Sequence, residues 1–334
     1  MRISSLARIF AASVALVLGV ASEVAQAQSS PAGPRAEAPL HIIVGYAPGG
    51  AADSVARAYA EQVRLDTGGT VIVENRPGAS ARLALEYVKQ SKPDGRTIFL
   101  GPSPLFTVFP LTYRHLSYDA DRDLAPVAVL TDIPTAVSAG KGQPYANMAE
   151  YVEWIKKNPK AATIGLATVG NTLQLGTFEV GRQVGVEITP VAYKGASPML
   201  VDVISGLVSI GADALASQME LYKGGKLNLL GVSGSTRAKS APEVPTMLEQ
   251  GFAQYQYATS WYAAFVPAAT PAKVIGQLEG ILVKASASPD LIARLAALGL
   301  EVVGLPGAQA SKRIAEERAY WAPIVRASGM ELND

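Results

Sequence analysis

The sequence predicts an α/β protein built as two lobes. From residue 40 onward, a strand, a glycine-rich turn and a helix follow one another repeatedly, and this alternation implies βαβ units with parallel sheets. The chain has 334 residues, of which 49% are apolar and none is cysteine, so it can bury a large core without disulfides. The formal net charge is only +1, which excludes nucleic acid as the main partner, since nucleic-acid binders concentrate positive charge.

The N-terminus has the pattern of a secretory signal peptide over residues 1–27. Arg2 and Arg8 flank the start of an apolar run at 9–21, and an Ala-Gln-Ala tripeptide at 25–27 offers a cleavage site after Ala27. Cleavage removes two basic side chains and one acidic side chain, so the mature chain is formally neutral. We therefore expect export to the periplasm, without a lipid anchor because no cysteine is present.

A leader and the first βα repeats follow the signal peptide. Residues 28–39 are rich in proline, alanine and serine, which is typical of a flexible leader. The pattern then predicts strands at 40–46, 71–74 and 97–100, and helices at 53–65 and 80–90. These elements alternate as strand and helix, so the strands are expected to pair in parallel.

The remainder of the chain repeats this alternation and ends in helices. The middle predicts strands at 163–167, 187–193, 209–213 and 227–232, and helices at 145–157, 173–184 and 197–204. Ser197 is the predicted N-cap of the last of these helices, with Pro198 at its first position. The final third predicts a strand at 261–266 and helices at 271–285, 289–298 and 310–327. Two successive α/β units with a helical tail suggest two lobes.

Catalytic and metal-binding motifs do not emerge from the sequence. The two histidines, His41 and His115, do not have metal-ligand spacing. Neither a G-x-S-x-G nucleophile elbow nor a phosphate-binding G-x-x-x-x-G-K-[ST] loop is present. We therefore expect no catalytic residue, no metal ion and no cofactor.

Two strand-to-helix turns instead offer anion-binding geometry. Residues 46–53 read YAPGGAAD and residues 168–172 read TVGNT, each between a predicted strand and a predicted helix. A helix N-terminus has unpaired N–H groups and a partial positive charge, which suit a carboxylate or a phosphate. Two such turns in corresponding positions of two lobes favour a clamp on a small anionic molecule.

Several motifs along the mature chain resemble one family of receptors. They are IVGYAPGGAADSVAR at 43–57, VENRPGA at 73–79, PDGRT at 93–97, YKGASP at 193–198, VPT at 244–246 and SWY at 260–262. In this order they resemble the tripartite tricarboxylate transporter receptors, the Bug or TctC-like extracytoplasmic solute receptors. The resemblance covers essentially the whole mature chain.

This resemblance implies a type II periplasmic-binding-protein fold, with a ligand cleft between two α/β lobes. Two crossings are expected to join the lobes, near residues 132–135 and 232–234. The implied organisation is a first part of lobe one at 40–133, lobe two at 134–231, and a second part of lobe one with the C-terminal helices at 232–334.

The resemblance also implies a ligand site made largely of backbone amides. The residues that it indicates in lobe one are Tyr46, Pro48, Gly49, Gly50, Ala51 and Asp53, and those in lobe two are Thr168, Gly170, Asn171 and Thr172. Further candidates are Ser80, Arg82, Ser103, Tyr193 and Asp213.

Individual roles stay open at three of these positions, and one further position departs from the family pattern. Asp53 fits a helix-start cap better than a ligand contact. Arg82 either forms a bidentate pair with a second carboxylate or is a solvated residue of a first helical turn. Asp213 is a candidate to accept a hydrogen bond from an amine, a hydroxyl or a bridging water. Gln174 stands where the family usually has histidine, which removes an aromatic ring from the site.

The implied function is that of a monomeric periplasmic receptor, not an enzyme, which hands a small mono- or dicarboxylate to the membrane components of a tripartite tricarboxylate-type transporter. One alternative is a receptor that presents the same ligand to a signalling protein. Another alternative is an exported hydrolase with an unrecognised site. The residues do not distinguish amino acids, tricarboxylates, aliphatic dicarboxylates and aromatic acids as ligands.

Overall fold

A computed structural model describes residues 38–167 and 170–332. The signal peptide expected at 1–27 and the leader up to residue 37 lie outside the described residues. The strands, in chain order, are β1 (Leu40–Val44), β2 (Val71–Asn75), β3 (Thr97–Pro102), β4 (Leu124–Ile133), β5 (Thr135–Gly140), β6 (Thr163–Leu166), β7 (Thr189–Ala192), β8 (Ile210–Ala214), β9 (Leu227–Val232), β10 (Ser260–Pro267) and β11 (Glu301–Pro306).

Eleven α-helices accompany these strands within the described ranges. They are α1 (Ala51–Thr67), α2 (Arg82–Lys89), α3 (Pro104–Thr107), α4 (Phe109–Thr112), α5 (Met148–Lys157), α6 (Thr172–Val184), α7 (Ala196–Ser205), α8 (Leu215–Lys223), α9 (Ala272–Ala285), α10 (Pro289–Ala296) and α11 (Gly307–Ser328).

The strands form two mixed sheets. The first has the order β11-β4-β10-β3-β1-β2, and the second has the order β7-β6-β8-β5-β9. In each sheet three strands pair in parallel, β2-β1-β3 in the first and β7-β6-β8 in the second, and the remaining strands pair antiparallel. The two sheets confirm the predicted two-lobed α/β architecture.

Apolar side chains cover both faces of each sheet. On one face of the first sheet, α1, α9 and α10 enclose a core that includes Tyr59, Leu282 and Leu295, and α2 and α11 cover the other face. Helices α5 and α6 cover one face of the second sheet, and the core beside α7 includes Met199 and Val203. Burial on both faces explains the apolar character of the parallel strands.

The chain passes between the sheets twice. β4 ends at Ile133 and β5 begins at Thr135, so the first crossing lies at Pro134. After β9 the chain stays on the second sheet, where Met247 and Ala258 are part of the core. The second crossing therefore lies just before β10 and not at the implied 232–234, and the second part of lobe one begins near residue 260 instead of 232.

Helix α11 connects the two lobes. Its first half packs on the first sheet through Ala310 and Ile314. Its second half places Trp321 in an apolar cluster with Val108 of lobe one and Leu175 of α6 in lobe two. The lobes are thus joined by a packed helix as well as by the two crossings.

Several elements differ from the sequence prediction. The pattern missed β4, β5, β11, α3, α4 and α8. In β4, Pro126 lacks the N–H of a regular strand, and it pairs at a register shift opposite Phe265. The predicted N-cap of α7 was wrong, because the helix begins at Ala196 after Gly195, whose φ is 106°. Ser197 and Pro198 instead lie within its first turn, where a missing N–H does not cost a helical bond.

A turn before α2 contains the strained backbone of this fold. Ala79, Ser80 and Ala81 have φ angles of 46°, 53° and 74°, a left-handed conformation that costs non-glycine residues about 1–2 kcal/mol each. The turn packs closely on lobe one, since a Cβ placed on Gly45 would lie 2.2 Å from the Cβ of Ala81. Strain of this kind is often found at functional sites.

Within the described ranges, no helix has both the length and the apolar character needed to cross a bilayer.

Replacing Ala79 and Ser80 together by glycine should raise the free energy of unfolding by about 1–2 kcal/mol, because glycine removes the left-handed strain at a smaller entropic cost. Urea denaturation measures the difference. Ala84→Gly, in the interior of the adjacent helix α2, is the control and should instead lower stability by about 1 kcal/mol. Equal losses in both variants would contradict the assignment of strain to this turn.

Candidate functional site

The first candidate loop connects β1 to α1. Gly49 has a φ of 89° and Gly50 is the extended N-cap of the helix. The first backbone hydrogen bond of α1 runs from the N–H of Ser54 to the carbonyl of Gly50 at 2.9 Å. The amides of Ala51 and Ala52 precede that bond, so they lie at the positive end of the helix dipole.

Asp53 holds this loop from within. Its side chain is only 4% exposed, and its Oδ2 accepts from the Gly49 amide at 3.0 Å and from Arg57 Nε at 2.9 Å. Its Oδ1 accepts from Asn75 Nδ2 at 2.9 Å. The Arg57 hydrogen bond is the main reason that the pKa of Asp53 falls to about 2. These contacts agree with the helix-start role, so Asp53 shapes the loop.

The second candidate loop leads from β6 into α6. Gly170 has a φ of 76°, and Asn171 is the N-cap whose Oδ1 accepts from the Gln174 amide at 3.1 Å. The Oε1 of Gln174 accepts in turn from the Gly170 amide at 2.7 Å. Thr172, the first helical residue, is buried. Thr168 lies outside the described residues.

The two loops share one hydrogen-bonding device, which we term the amide bracket. In each, the side chain at the third helical position accepts from the amide of the glycine before the N-cap, as Asp53 does from Gly49 and Gln174 from Gly170. Each bracketed glycine has a positive φ. The bracket satisfies one N–H group and fixes the loop, whereas the amides that follow at the helix start have no partner within the helix.

Only part of this device can be read from the sequence. Glycine followed four residues later by an acceptor side chain, as in Gly49/Asp53 and Gly170/Gln174, is a spacing that the sequence shows but that our prediction did not use. Arg57 lies four residues after Asp53, a spacing that predicts an ion pair on one face of a helix. The contact of Asn75 with this loop could not be predicted from spacing, because Asn75 reaches the loop through the register of β2 on β1.

Tyr46 and Asp213 are two candidate residues whose pKa is raised by desolvation. Tyr46 is 36% exposed, yet desolvation by the surrounding protein raises its pKa. Asp213 is partly exposed, accepts from Ser217 Oγ at 2.9 Å, and has a pKa raised by burial. β8, which carries Asp213, is the neighbour of β6, so this carboxyl lies on the strand beside the one that leads into the second loop.

Two other predicted residues use their hydroxyl groups within the protein. Ser103 is 1% exposed, and its Oγ accepts from the Trp261 amide at 3.3 Å. It therefore supports β10 instead of lining an open wall. The Tyr193 hydroxyl donates to Asp202 Oδ2 at 2.8 Å, so this hydroxyl is committed to α7.

The strained turn before α2 and the first residue of that helix are the remaining predicted positions, Ser80 and Arg82. Ser80 is exposed. Arg82 donates from Nε to the carbonyl of Ala79 at 2.9 Å, and its guanidinium carbon lies 4.6 Å from the ring centre of Tyr113. The guanidinium is thus oriented by the turn and by a cation–π contact. In the first loop, residues 46–51 are exposed, and Pro48, Gly49, Gly50 and Ala51 are among them.

A polar cluster occupies the region where the chain crosses between lobes. A cavity of about 300 Å³ there is lined by residues of both crossings and of α11. Arg313 pairs with Asp132 at 2.7 Å, and Trp261 Nε1 donates to Glu317 Oε1 at 2.7 Å. Glu317 is 3% exposed, and burial raises its pKa to about 7. Its Oε2 has no hydrogen-bond partner in the described part of the chain.

A second cavity, of about 690 Å³, lies along α6 and not between the two loops. Apolar side chains such as Phe178, Ile188 and Met330 line it, and it shares Gly170 and Gln174 with the second loop. In the residues that the structure describes, no group of three or more His, Cys, Asp or Glu side chains is arranged to hold a metal ion.

Comparison with known proteins identifies the family. The model of the tripartite tricarboxylate transporter family receptor matches residues 55–330. The chain belongs to this family. Members of this receptor family are solute-binding receptors and not enzymes, so the expectation of a non-catalytic protein is confirmed and the hydrolase alternative is excluded. Residues 46–53 of the first loop lie before the matched region, and the second loop lies within it.

Solved structures of similar receptors share the fold. The periplasmic binding protein BugD is 27% identical, with a TM-score of 0.70, and the match covers 89% of this chain and 99% of BugD. Rpa4515 of R. palustris with adipate is 28% identical, with a TM-score of 0.73 over 88% and 98% of the two chains. MatC of Rhodopseudomonas palustris with bound malate is 26% identical, with a TM-score of 0.68 over 86% and 98%. These similarities confirm the periplasmic-binding-protein fold of this receptor.

Asp53→Asn should lower the free energy of unfolding by about 2 kcal/mol at pH 7, because the ionised carboxylate is stabilised in the folded receptor. The pKa of Asp53 is lower in the folded than in the unfolded chain, so this stabilisation is present above about pH 4. It should shrink to about half at pH 3. Urea denaturation across this pH range measures it, with Asp66→Asn in the same helix as control. A loss that is independent of pH would contradict the assigned ionisation.

Glu317→Gln should remove a pH dependence of stability between about pH 4.5 and 7. The pKa of Glu317 is raised on folding, so the wild-type receptor loses up to about 3 kcal/mol as the pH rises through this window, and glutamine does not. Glutamine keeps the acceptor for Trp261. Glu316→Gln, at the exposed neighbouring position, should behave as wild type. Identical pH profiles for all three proteins would disprove the assignment.

Proposed function

We propose that this receptor captures a small carboxylate in the periplasm, between the two bracketed loops, and delivers it to the membrane components of a tripartite tricarboxylate-type transporter. The proposal includes export by the N-terminal signal peptide and cleavage after Ala27. Family membership supports the receptor role. The transporter as partner rests on the family's name.

The amide brackets are the observation that carries the proposal. In each bracket, one side-chain oxygen accepts from a glycine amide. The amides at the start of the helix have no partner within the helix, and we propose that they bind an external anion. The mature chain is formally neutral, so a carboxylate must be held by local dipoles. Loops that are fixed before the ligand arrives lose little conformational entropy on binding, which favours affinity.

The two brackets differ in charge, and this difference bears on ligand selection. Asp53 is ionised, but its charge is compensated by Arg57 and by the donors of Gly49 and Asn75. Gln174 is neutral. We propose that one carboxylate of the ligand lies at the start of α1 or of α6, and that a dicarboxylate can engage both.

Side chains near the loops would complete the site. Tyr46 offers a hydroxyl from the first loop, and Asp213 would accept from a hydroxyl or an amine of the ligand. Arg82, which the turn and Tyr113 orient, would pair with a second carboxylate. Similar receptors were solved with adipate and with malate, which supports small aliphatic dicarboxylates as the first compounds to test.

Gly50→Leu should abolish binding of adipate and malate while the receptor stays folded. Gly50 has an extended backbone that leucine adopts without strain, and the nearest atom to an added Cβ is 3.8 Å away. The new side chain would lie at the start of α1 and hinder the approach of an anion. Isothermal titration calorimetry measures affinity, and a thermal shift of wild type by saturating ligand, worth about 2.7 kcal/mol at 100 times Kd, measures engagement.

The matched control is Gly142→Leu, an exposed turn position with no atom within 4 Å of an added Cβ. It should bind as wild type does. Binding by Gly50→Leu with wild-type affinity would exclude this loop from the site. If neutral sugars stabilise the wild-type receptor while carboxylates do not, the anion-binding proposal fails. Uptake of labelled ligand by cells that carry Gly50→Leu tests delivery, which should fall with binding.

A further inference from the structure

The C-terminal tail, residues 330–332, follows helix α11 and is held by several contacts. Helix α11 ends at Ser328, and Gly329, with a φ of 63°, turns the chain away from the helix axis. The amide of Met330 donates to Ser328 Oγ at 3.2 Å, which sets the direction of the residues that follow. The tail then runs along lobe one.

Main-chain and ionic contacts hold the tail on lobe one. The Leu332 amide donates to the carbonyl of Thr112, at the end of α4, at 2.8 Å, and Leu332 forms a parallel β-bridge with Tyr113. Glu331 pairs with Arg114 through both of its oxygens, and the distance from Oε2 to Nη2 is 2.7 Å. These contacts place Leu332 at a defined position.

The side chain of Leu332 reaches the other lobe. A Cβ built on Gly170 would lie 3.0 Å from Leu332 Cδ2 and 3.1 Å from Cδ1. Leu332 therefore packs on the bracketed glycine of the second loop, while its main chain is bonded to lobe one.

The same tail residue is linked through Tyr113 to Arg82 at the start of α2. Tyr113, its β-bridge partner, receives the guanidinium of Arg82 on its ring at 4.6 Å. A single connected path thus runs from Arg82 through Tyr113 and Leu332 to Gly170. Both ends of this path are residues of the proposed carboxylate site.

The tail is held weakly enough to be released. The side chains of Arg114 and Glu331 are 64% and 46% exposed, and exposed ion pairs contribute little on their own. The tail also lines the 690 Å³ cavity along α6, so its inner side is incompletely packed. Its contacts suit a reversible connection better than a permanent one.

We propose that Glu331 and Leu332 are positioning residues, which join the lobes when the receptor closes on its ligand and thereby slow ligand release. This inference rests on the proposed function. When the lobes separate, Thr112 and Gly170 move apart, so the tail cannot keep both contacts. The contact therefore stabilises the closed form only, and its loss should appear in the dissociation rate more than in the association rate.

Stopped-flow binding of adipate tests the proposal. Leu332→Ser should raise the dissociation rate about tenfold and change the association rate less than twofold. Glu331→Arg should act in the same direction by repelling Arg114, and the charge swap Glu331→Arg with Arg114→Glu should restore the wild-type rate. The melting temperature without ligand should change by less than about 2 °C in each variant, which a merely structural role would not predict.

A second measurement does not depend on any ligand. The chain has no cysteine, so cysteines can be introduced at Leu65 in lobe one and Leu207 in lobe two, which are 61% and 73% exposed. Spin labels there report the distance between lobes, and Leu332→Ser should shift the unliganded distribution toward open forms.

The two readouts separate the two proposals. If wild-type receptor does not bind adipate or malate, the ligand proposal fails, and the spin-label distances still test the tail. An unchanged distance distribution overturns the positioning role. An unchanged dissociation rate in a variant that binds adipate overturns it as well.

Discussion

The architecture of the site depends on one constraint, which is that the first amides of a helix have no partner within that helix. In both lobes, side chains of the protein satisfy only some of the amides around the helix start. Asp53 and Gln174 satisfy the glycine amides that precede the N-caps, and this fixes the loop backbone in a left-handed conformation that glycine tolerates. The next amides are left at the positive end of the helix. Small anions are the natural partners of such groups, so the function that we propose is a consequence of how the loops are stabilised.

The remainder of the fold positions these loops. Each loop follows a central parallel strand, so a buried sheet sets its place. The crossings, at Pro134 and just before β10, meet the polar cluster of Arg313 and Glu317. Glu317 is buried with one oxygen unpartnered, which costs stability when it is ionised. Helix α11 reaches from the core of lobe one to α6, and its tail contacts the second loop.

The repeated elements of this fold could be predicted from the sequence, because buried parallel strands and amphipathic helices leave clear patterns. The two glycine loops could be predicted as well, because each lies between a predicted strand and a predicted helix. Other features depend on distant contacts. β4 contains a proline that a regular strand disfavours, and β5 is rich in small residues with low strand propensity. The second crossing lies near residue 260 because apolar residues such as Met247 bury themselves on the second sheet.

The roles of side chains likewise divide into those that the sequence predicts and those that depend on distant contacts. Asp53 and its neighbour Arg57 follow from helical spacing, whereas the contact of Asn75 with Asp53 depends on strand register. That Ser103 is buried and that Tyr193 donates to Asp202 could not be deduced from a resemblance, because a motif records residue types and not the direction of a hydroxyl. The left-handed turn at Ala79 to Ala81 was also hidden, since non-glycine residues seldom adopt it.

The central claim is that backbone amides at two helix starts hold the carboxylate. Amide chemical shifts of ¹⁵N-labelled receptor, followed during a titration with adipate, test it most directly. We predict large shifts at Ala51 and Ala52 in lobe one and at Asn171 and Thr172 in lobe two, saturating together with a single affinity. Shifts confined to one lobe, or centred on residues away from both loops, would contradict the claim.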